Sequence, residues 1–168
     1  APDLYQGHIA GTVEQAESLR YLEQDNVELL GEIVQAALRQ LASRTGGNLG
    51  VIGFSMGANW ALEAAAGNPK VKAVVLFYGT GGVDYGKIDA AVQGHFAEND
   101  PYEPPEGVRA AEEEMKASGL KVDFYNYAGA SHWFAEDDRP EYDAGAARTA
   151  WERAIEFLRS KLKGRLVA

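Results

Sequence analysis

The stretch Gly53-Phe54-Ser55-Met56-Gly57, set within Asn48 to Gly67, decides how this chain reads. Upstream, Leu49, Val51 and Ile52 give Asn48 to Phe54 the apolar character of a short buried strand; downstream, the small residues of Ala58 to Ala66 read as a helix. Ser55 therefore falls on a tight strand-to-helix joint of the kind called a nucleophile elbow. There, side chains two residues to either side would strike neighbouring backbone, and the glycines at 53 and 57 are expected to remove both collisions. The helix points its first amides back at the serine, which makes the Met56 backbone N–H a candidate donor to an oxyanion formed there. The competing reading is an ordinary turn whose serine merely caps the helix.

Outward from the elbow, helices and strands alternate. Before it, Ala1 to Gly7 reads as extended or looped, and Thr12 with Gln15 three residues later looks like a capping box opening a polar helix to about Leu22. Asp25 to Ser43 is the clearest amphipathic helix, with Asp25 as candidate N-cap and Val27, Leu30, Ile33, Val34, Ala37, Leu38 and Leu41 recurring at helical spacing. After the elbow, Val71 to Tyr78 is a continuous apolar run typical of a strand buried on both faces. Ala90 to Ala97 is a weaker strand, Pro105 to Ser118 a helix closed by Gly119, Leu120 to Tyr127 a strand, and Pro140 to Lys163 a long terminal helix. Strands separated by helices of this length predict right-handed crossovers and a mainly parallel, doubly wound sheet in a three-layer α/β/α sandwich. The 168 residues suit a single domain.

Composition narrows the function. The 25 acidic against 16 basic side chains give a net charge of −9, which opposes binding to nucleic acid or an anionic membrane surface and favours a small, uncharged partner. With no cysteine, a disulfide framework, a thiolate metal site and a cysteine nucleophile are all excluded. No apolar run approaches the ~20 residues of a membrane span, and the first residues lack a signal-peptide pattern, so a cytoplasmic location is expected.

In parallel α/β sheets the chemistry collects in loops that follow strands. Ser55 follows the first strand, Asp100 the third, and His132 the fourth, within Ala128-Gly129-Ala130-Ser131-His132-Trp133-Phe134. A serine hydroxyl needs an imidazole to take its proton and a carboxylate to hold that imidazole's tautomer, and the chain order Ser, Asp, His is one in which such sets occur. His132 is favoured over His95, inside a strand, and over His8, ahead of the first helix. For the acid, Glu98 competes with Asp100. Asp100 is preferred because it lies furthest past the strand and Pro101 stiffens its turn.

With these residues in view, the chain resembles the dienelactone hydrolase family of the α/β-hydrolase fold over nearly its whole length. Ala1-Pro2-Asp3-Leu4-Tyr5 resembles the family's segment after its fourth strand, Gly53 to Gly57 its elbow, Gly94 to Asp100 its acid loop, and Gly129 to Phe134 its histidine loop. The resemblance implies a hydrolase of small esters or lactones acting through Ser55, His132 and Asp100 by an acyl-enzyme, with the Met56 amide at the oxyanion, Tyr5 and Trp133 against the substrate, and no metal or cofactor. The best-known members carry cysteine where Ser55 stands, which makes this chain more like a serine esterase. Glu136 occupies the position four after the histidine, and Gln6-Gly7 follow Tyr5, where arginines that grip a substrate carboxylate are expected, so an anionic dienelactone is disfavoured.

Family members also carry several strands before Pro-Asp-Leu-Tyr, including the loop that gives the second oxyanion amide. The strand at Asn48 to Phe54 is thus expected to be a sheet edge, covered either by a complementing N-terminal segment or by a second copy in a homo-oligomer. A rival reading makes the chain a non-catalytic hydrolase-like subunit that binds a partner at that edge.

Overall fold

The computed structural model describes residues 1–12, 14–16, 18, 19, 26–45 and 47–162. The chain divides into two compact units, Ala1–Gly46 and Gly47–Ala168. In the first, Asp3 folds the N-terminal segment into a turn, its carboxylate accepting from the Tyr5 and Gly7 amides at 3.0 and 2.7 Å. The expected capping box is present in a shifted form: Thr12 Oγ1 accepts from the Gln15 N–H, and Gln15 Oε1 reaches back to the Gly11 amide rather than to that of Thr12. Residues 14–16, 18 and 19 are helical; Leu22 and Asp25, the expected helix end and N-cap, lie outside the described residues. Helix α1, Val27–Thr45, buries Leu30, Val34, Leu38 and Ala42, a narrow line at steps of four, whereas Val27 and Leu41 are exposed.

The second unit is built on strands β1 (Leu49–Phe54), β2 (Val71–Phe77), β3 (Ala91–Asn99) and β4 (Val122–Ser131), with helices α2 (Met56–Gly67), α3 (Pro105–Ala117) and α4 (Ala144–Leu162). All neighbouring pairs are parallel and the order is β1-β2-β3-β4. Among the described residues β1 is therefore an outer strand, as expected, and pairs with β2 alone. The chain is α/β with helices on both faces. Helix α2 packs on β1 and β2 and α3 on β3 and β4, as right-handed crossovers require. The opposite face of β2, carrying Ala73, Val75 and Phe77, is covered by Ala150, Ala154 and Phe157 of α4. Val75 and Phe77, fully withdrawn from water, stabilise the fold by roughly 1.5–3 kcal/mol each.

Two boundaries differ from expectation in ways that matter. Strand β4 runs four residues past Tyr127, because the small residues Ala128 to Ser131 stay in the sheet and Ser131 pairs with Asn99 across an irregularity between Ala97 and Asn99. Helix α4 begins at Ala144 rather than Pro140, because Asp143 caps it: its Oδ1 accepts from the Gly145 and Ala146 amides, both at 2.9 Å.

Under the β3–β4 pair lies a buried polar chain. Arg153 Nη1 donates to the Tyr127 hydroxyl at 3.3 Å, Tyr127 donates to His95 Nδ1 at 2.9 Å, and His95 Nε2 donates to Gln93 Oε1 at 3.0 Å. This direction follows from Gln93 Oε1 being able only to accept, which puts the proton of the neutral His95 on Nε2 and leaves Nδ1 to accept from Tyr127. Burial, reinforced by the Arg153 charge, lowers the His95 pKa from 6.5 to about 3. An unfolded chain therefore binds one more proton than the folded one between those values, so this contribution is whole above pH ~6.5 and is lost as pH falls, at about 1.4 kcal/mol per unit. Urea unfolding at pH 7 and pH 5 is expected to show a larger drop for the wild type than for His95→Gln, by about 2 kcal/mol. Equal drops would remove His95 from the acid response.

Candidate active site

Ser55 sits at the end of β1, whose register with β2 holds to Phe54 opposite Phe77. Its own amide donates to the Phe77 carbonyl at 2.9 Å, and its backbone is forced to φ 49° and ψ −119°. A non-glycine residue held so costs roughly 1–3 kcal/mol and persists only where surrounding packing over-determines it. Only one of the two expected glycine effects is present. A Cβ at Gly53 would lie 2.2 Å from the Gly57 carbonyl oxygen, but one at Gly57 would meet nothing within 4 Å. The second squeeze comes instead from Gly79, beyond β2, where a Cβ would lie 2.3 Å from the Ser55 carbonyl oxygen.

The serine side chain makes no capping bond to α2. It turns toward the sheet's carboxyl edge, where Ser55 Oγ and His132 Nε2 are 3.0 Å apart, and His132 Nδ1 and Asp100 Oδ2 are 2.7 Å apart. The strand pairing explains this meeting. Asn99 lies opposite Ser131, so the next residues, Asp100 and His132, leave adjacent strand ends side by side. Asp100 is oriented by its other oxygen, which accepts from the amides of Tyr102 and Glu103 at 2.9 and 3.0 Å. Both Asp100 and His132 are buried, whereas Ser55 is partly open. An imidazole with one nitrogen on a carboxylate and the other on a hydroxyl is arranged to take that hydroxyl's proton.

The competing acid and histidines have other partners. Glu98 remains within β3 and its carboxylate accepts from the Gly129 amide at 2.8 Å, pinning the last part of β4, which leads into His132. His95 is in the buried chain described above, and His8 bonds the Tyr5 carbonyl within the N-terminal unit, where Tyr5 itself lies. Trp133 abuts His132, with ring centroids 4.7 Å apart.

Several neighbours were not legible from the sequence. Tyr78, in the left-handed region at φ 36°, is fully buried with its ring 5.0 Å from that of His132. Its hydroxyl donates to Glu136 Oε1 at 2.8 Å, and burial followed by that bond pushes its pKa well above the usual tyrosine value. Glu136 thus ties the histidine loop to the end of β2, in the position where an arginine was expected. Glu103 joins two further loops: its carboxylate accepts from the Thr80 amide and hydroxyl at 3.0 and 2.9 Å. The usable signal for Tyr78 and Thr80 was their place just after a strand, the same rule that found Ser55.

The model of the Dienelactone hydrolase family matches residues 1–162. The chain is 32% identical over 133 residues to a protein of Escherichia coli (strain K12) named "Putative carboxymethylenebutenolidase", covering 70% of this chain and 49% of that one. A protein of the same name from Synechocystis sp. is 27% identical, with 97% of this chain and 74% of the other covered. The chain spans about half the length of most of the curated relatives it matches. Among solved structures, one titled "Putative Dienelactone Hydrolase" from Klebsiella pneumoniae superposes with a TM-score of 0.67 at 27% identity, covering 76% of this chain and 60% of that one. A dienelactone hydrolase-like promiscuous phosphotriesterase from metagenomic libraries gives a TM-score of 0.83 at 21% identity, over 96% of this chain and 74% of the other, and bears on the fold alone.

Proposed function

Because the chain belongs to the dienelactone hydrolase family, we propose that it is a serine hydrolase of small, uncharged carboxylic esters or lactones. The observation that carries this reading is the continuous line from Ser55 Oγ through His132 to Asp100, at 3.0 and 2.7 Å. In the first half-reaction Ser55 Oγ attacks the substrate carbonyl carbon while its proton passes to His132 Nε2. Negative charge moves to the carbonyl oxygen, beside the Met56 amide at the positive end of α2. Asp100 holds the Nδ1 proton and stabilises the imidazolium. The intermediate then collapses, the bond to the leaving oxygen breaks, and His132 returns the proton to that oxygen. Water repeats the sequence against the acyl-serine, freeing the acid. Trp133 and, on the family resemblance, Tyr5 are the residues proposed to contact the substrate.

A fluorophosphonate probe tests this. The expected result is one adduct per chain, mapped by peptide sequencing to Ser55, alongside hydrolysis of short-chain p-nitrophenyl esters. The outer position of β1 among the described residues supports a second reading, a hydrolase-like subunit paired through that edge with an N-terminal segment or a second copy. Folded chain that neither labels nor turns over ester, while running as a defined assembly in light scattering, would favour that reading over the first.

A further inference from the structure

The serine-hydrolase reading places a demand on the space beside His132 that can be followed further. The departing oxygen has to come within hydrogen-bonding distance of His132 Nε2 to receive its proton. The group it carries must then extend past the imidazole, over whatever surface borders that ring. Three aromatic rings do so: Tyr78 at 5.0 Å, Tyr102 at 4.8 Å and Trp133 at 4.7 Å between centroids. Tyr78 has no exposure, so it forms the floor. Tyr102 is 63% exposed and Trp133 partly so.

Both outer rings are held in place without being covered. The Tyr102 amide is bound to Asp100 Oδ1 at 2.9 Å, so its position is set by the same carboxylate that orients the histidine. Trp133 is fixed at φ 66° and backed by the Arg139 guanidinium, 4.1 Å from the centre of the indole. The two rings are 5.5 Å apart and inclined at 55°, forming a corner. A flat ring entering it can lie against one face and meet the edge of the other, the two arrangements aromatic pairs prefer. The nearby cation is already engaged, by Trp133 and by Glu136 at 3.8 Å, so the corner suits a neutral ring rather than a carboxylate.

We infer that Tyr102 and Trp133 seat the leaving group, and that the substrates favoured are aryl esters, whose departing oxygen is carried on an aromatic ring. This rests on the serine-hydrolase reading. The step balances as an ordinary acylation: the carbonyl carbon to aryl-oxygen bond breaks, its electron pair stays on that oxygen, the His132 Nε2 proton joins it, and a phenol leaves.

The test compares kcat/KM for phenyl acetate and for a fluorinated alkyl acetate of matched leaving-group acidity. Both acylate Ser55 with the same acetyl group, so later steps are common. The wild type is expected to favour phenyl acetate, and Tyr102→Ala to lose about threefold to tenfold toward phenyl acetate with less than twofold loss toward the fluoroalkyl ester. Tyr102→Phe, which keeps the ring, should retain the preference. An equal loss toward both esters, or no loss toward either, in an enzyme whose turnover depends on Ser55 would overturn the leaving-group seat and leave the hydrolase reading standing. Turnover that survives Ser55→Ala would overturn both.

Discussion

Ser55→Ala is expected to lower ester hydrolysis by a factor on the order of 10⁴ or more while leaving the fold intact. The size follows from the line of contacts: without Oγ there is nothing for His132 Nε2 to deprotonate, and only binding and oxyanion stabilisation remain. The fold should survive because the hydroxyl makes no capping bond to α2 and alanine inherits the same backbone contacts. Asp100→Asn is the companion measurement. It keeps the shape but presents an amide to His132 Nδ1 and favours the wrong tautomer, so a loss of similar order is expected in kcat. Steady-state kinetics with thermal melts on both variants decides the matter. A Ser55→Ala protein that melts normally and retains more than about a hundredth of the activity would exclude the serine mechanism.

Gly53→Ala and Gly79→Ala are each expected to cost about 3 kcal/mol or more, a fall in melting temperature of roughly 6–12 °C for a chain of this size. In both, the added methyl would press on a backbone carbonyl, at 2.2 Å from Gly57 and 2.3 Å from Ser55, and neither oxygen can move without breaking the elbow. Gly57→Ala supplies the contrast. Its Cβ would enter open space within α2, so a neutral effect or a gain of about 0.5–1 kcal/mol is expected from helix propensity. Should Gly57→Ala prove the damaging change and Gly79→Ala the tolerated one, the packing account of the elbow would be wrong.

That contrast marks where sequence reading succeeds and where it stops. The strand at Val71–Phe77 was legible because a strand buried on both faces needs continuous apolar side chains, whereas Leu49–Phe54, read from the same kind of run as a buried strand, is a strand with Ile52 exposed, as an outer position allows. The meeting of Ser55, Asp100 and His132 was legible because parallel topology sends every post-strand loop to one edge. The extension of β4 through Ser131 was not, since Ala128, Gly129 and Ala130 carry no alternation, and the pairing of Asn99 with Ser131 is a fact of register. Gly57 was misjudged for the same reason that Gly79 was missed. Crowding depends on which backbone passes nearby, and for Gly79 that neighbour is Ser55, far away in sequence at the end of the strand beside it. Tyr102 and Glu103 read only as loop residues because their value lies in amides that serve Asp100, a ring against His132 and a carboxylate that accepts from Thr80.

The Glu103 carboxylate, by gripping both the amide and hydroxyl of Thr80 while its own amide serves Asp100, makes the loops after β2 and β3 a single mechanical piece. Loops on α/β scaffolds are often treated as exchangeable parts, each free to be lengthened or grafted for a new substrate. Here that modularity ends at Thr80. A graft that replaces the loop after β2 without supplying a hydroxyl and amide for Glu103 releases the turn that holds Asp100, and so disturbs His132 at the end of β4, three strands along from the β1 elbow. Redesign of substrate range in this chain has to move the two loops together, or leave both in place and work from the His132 side.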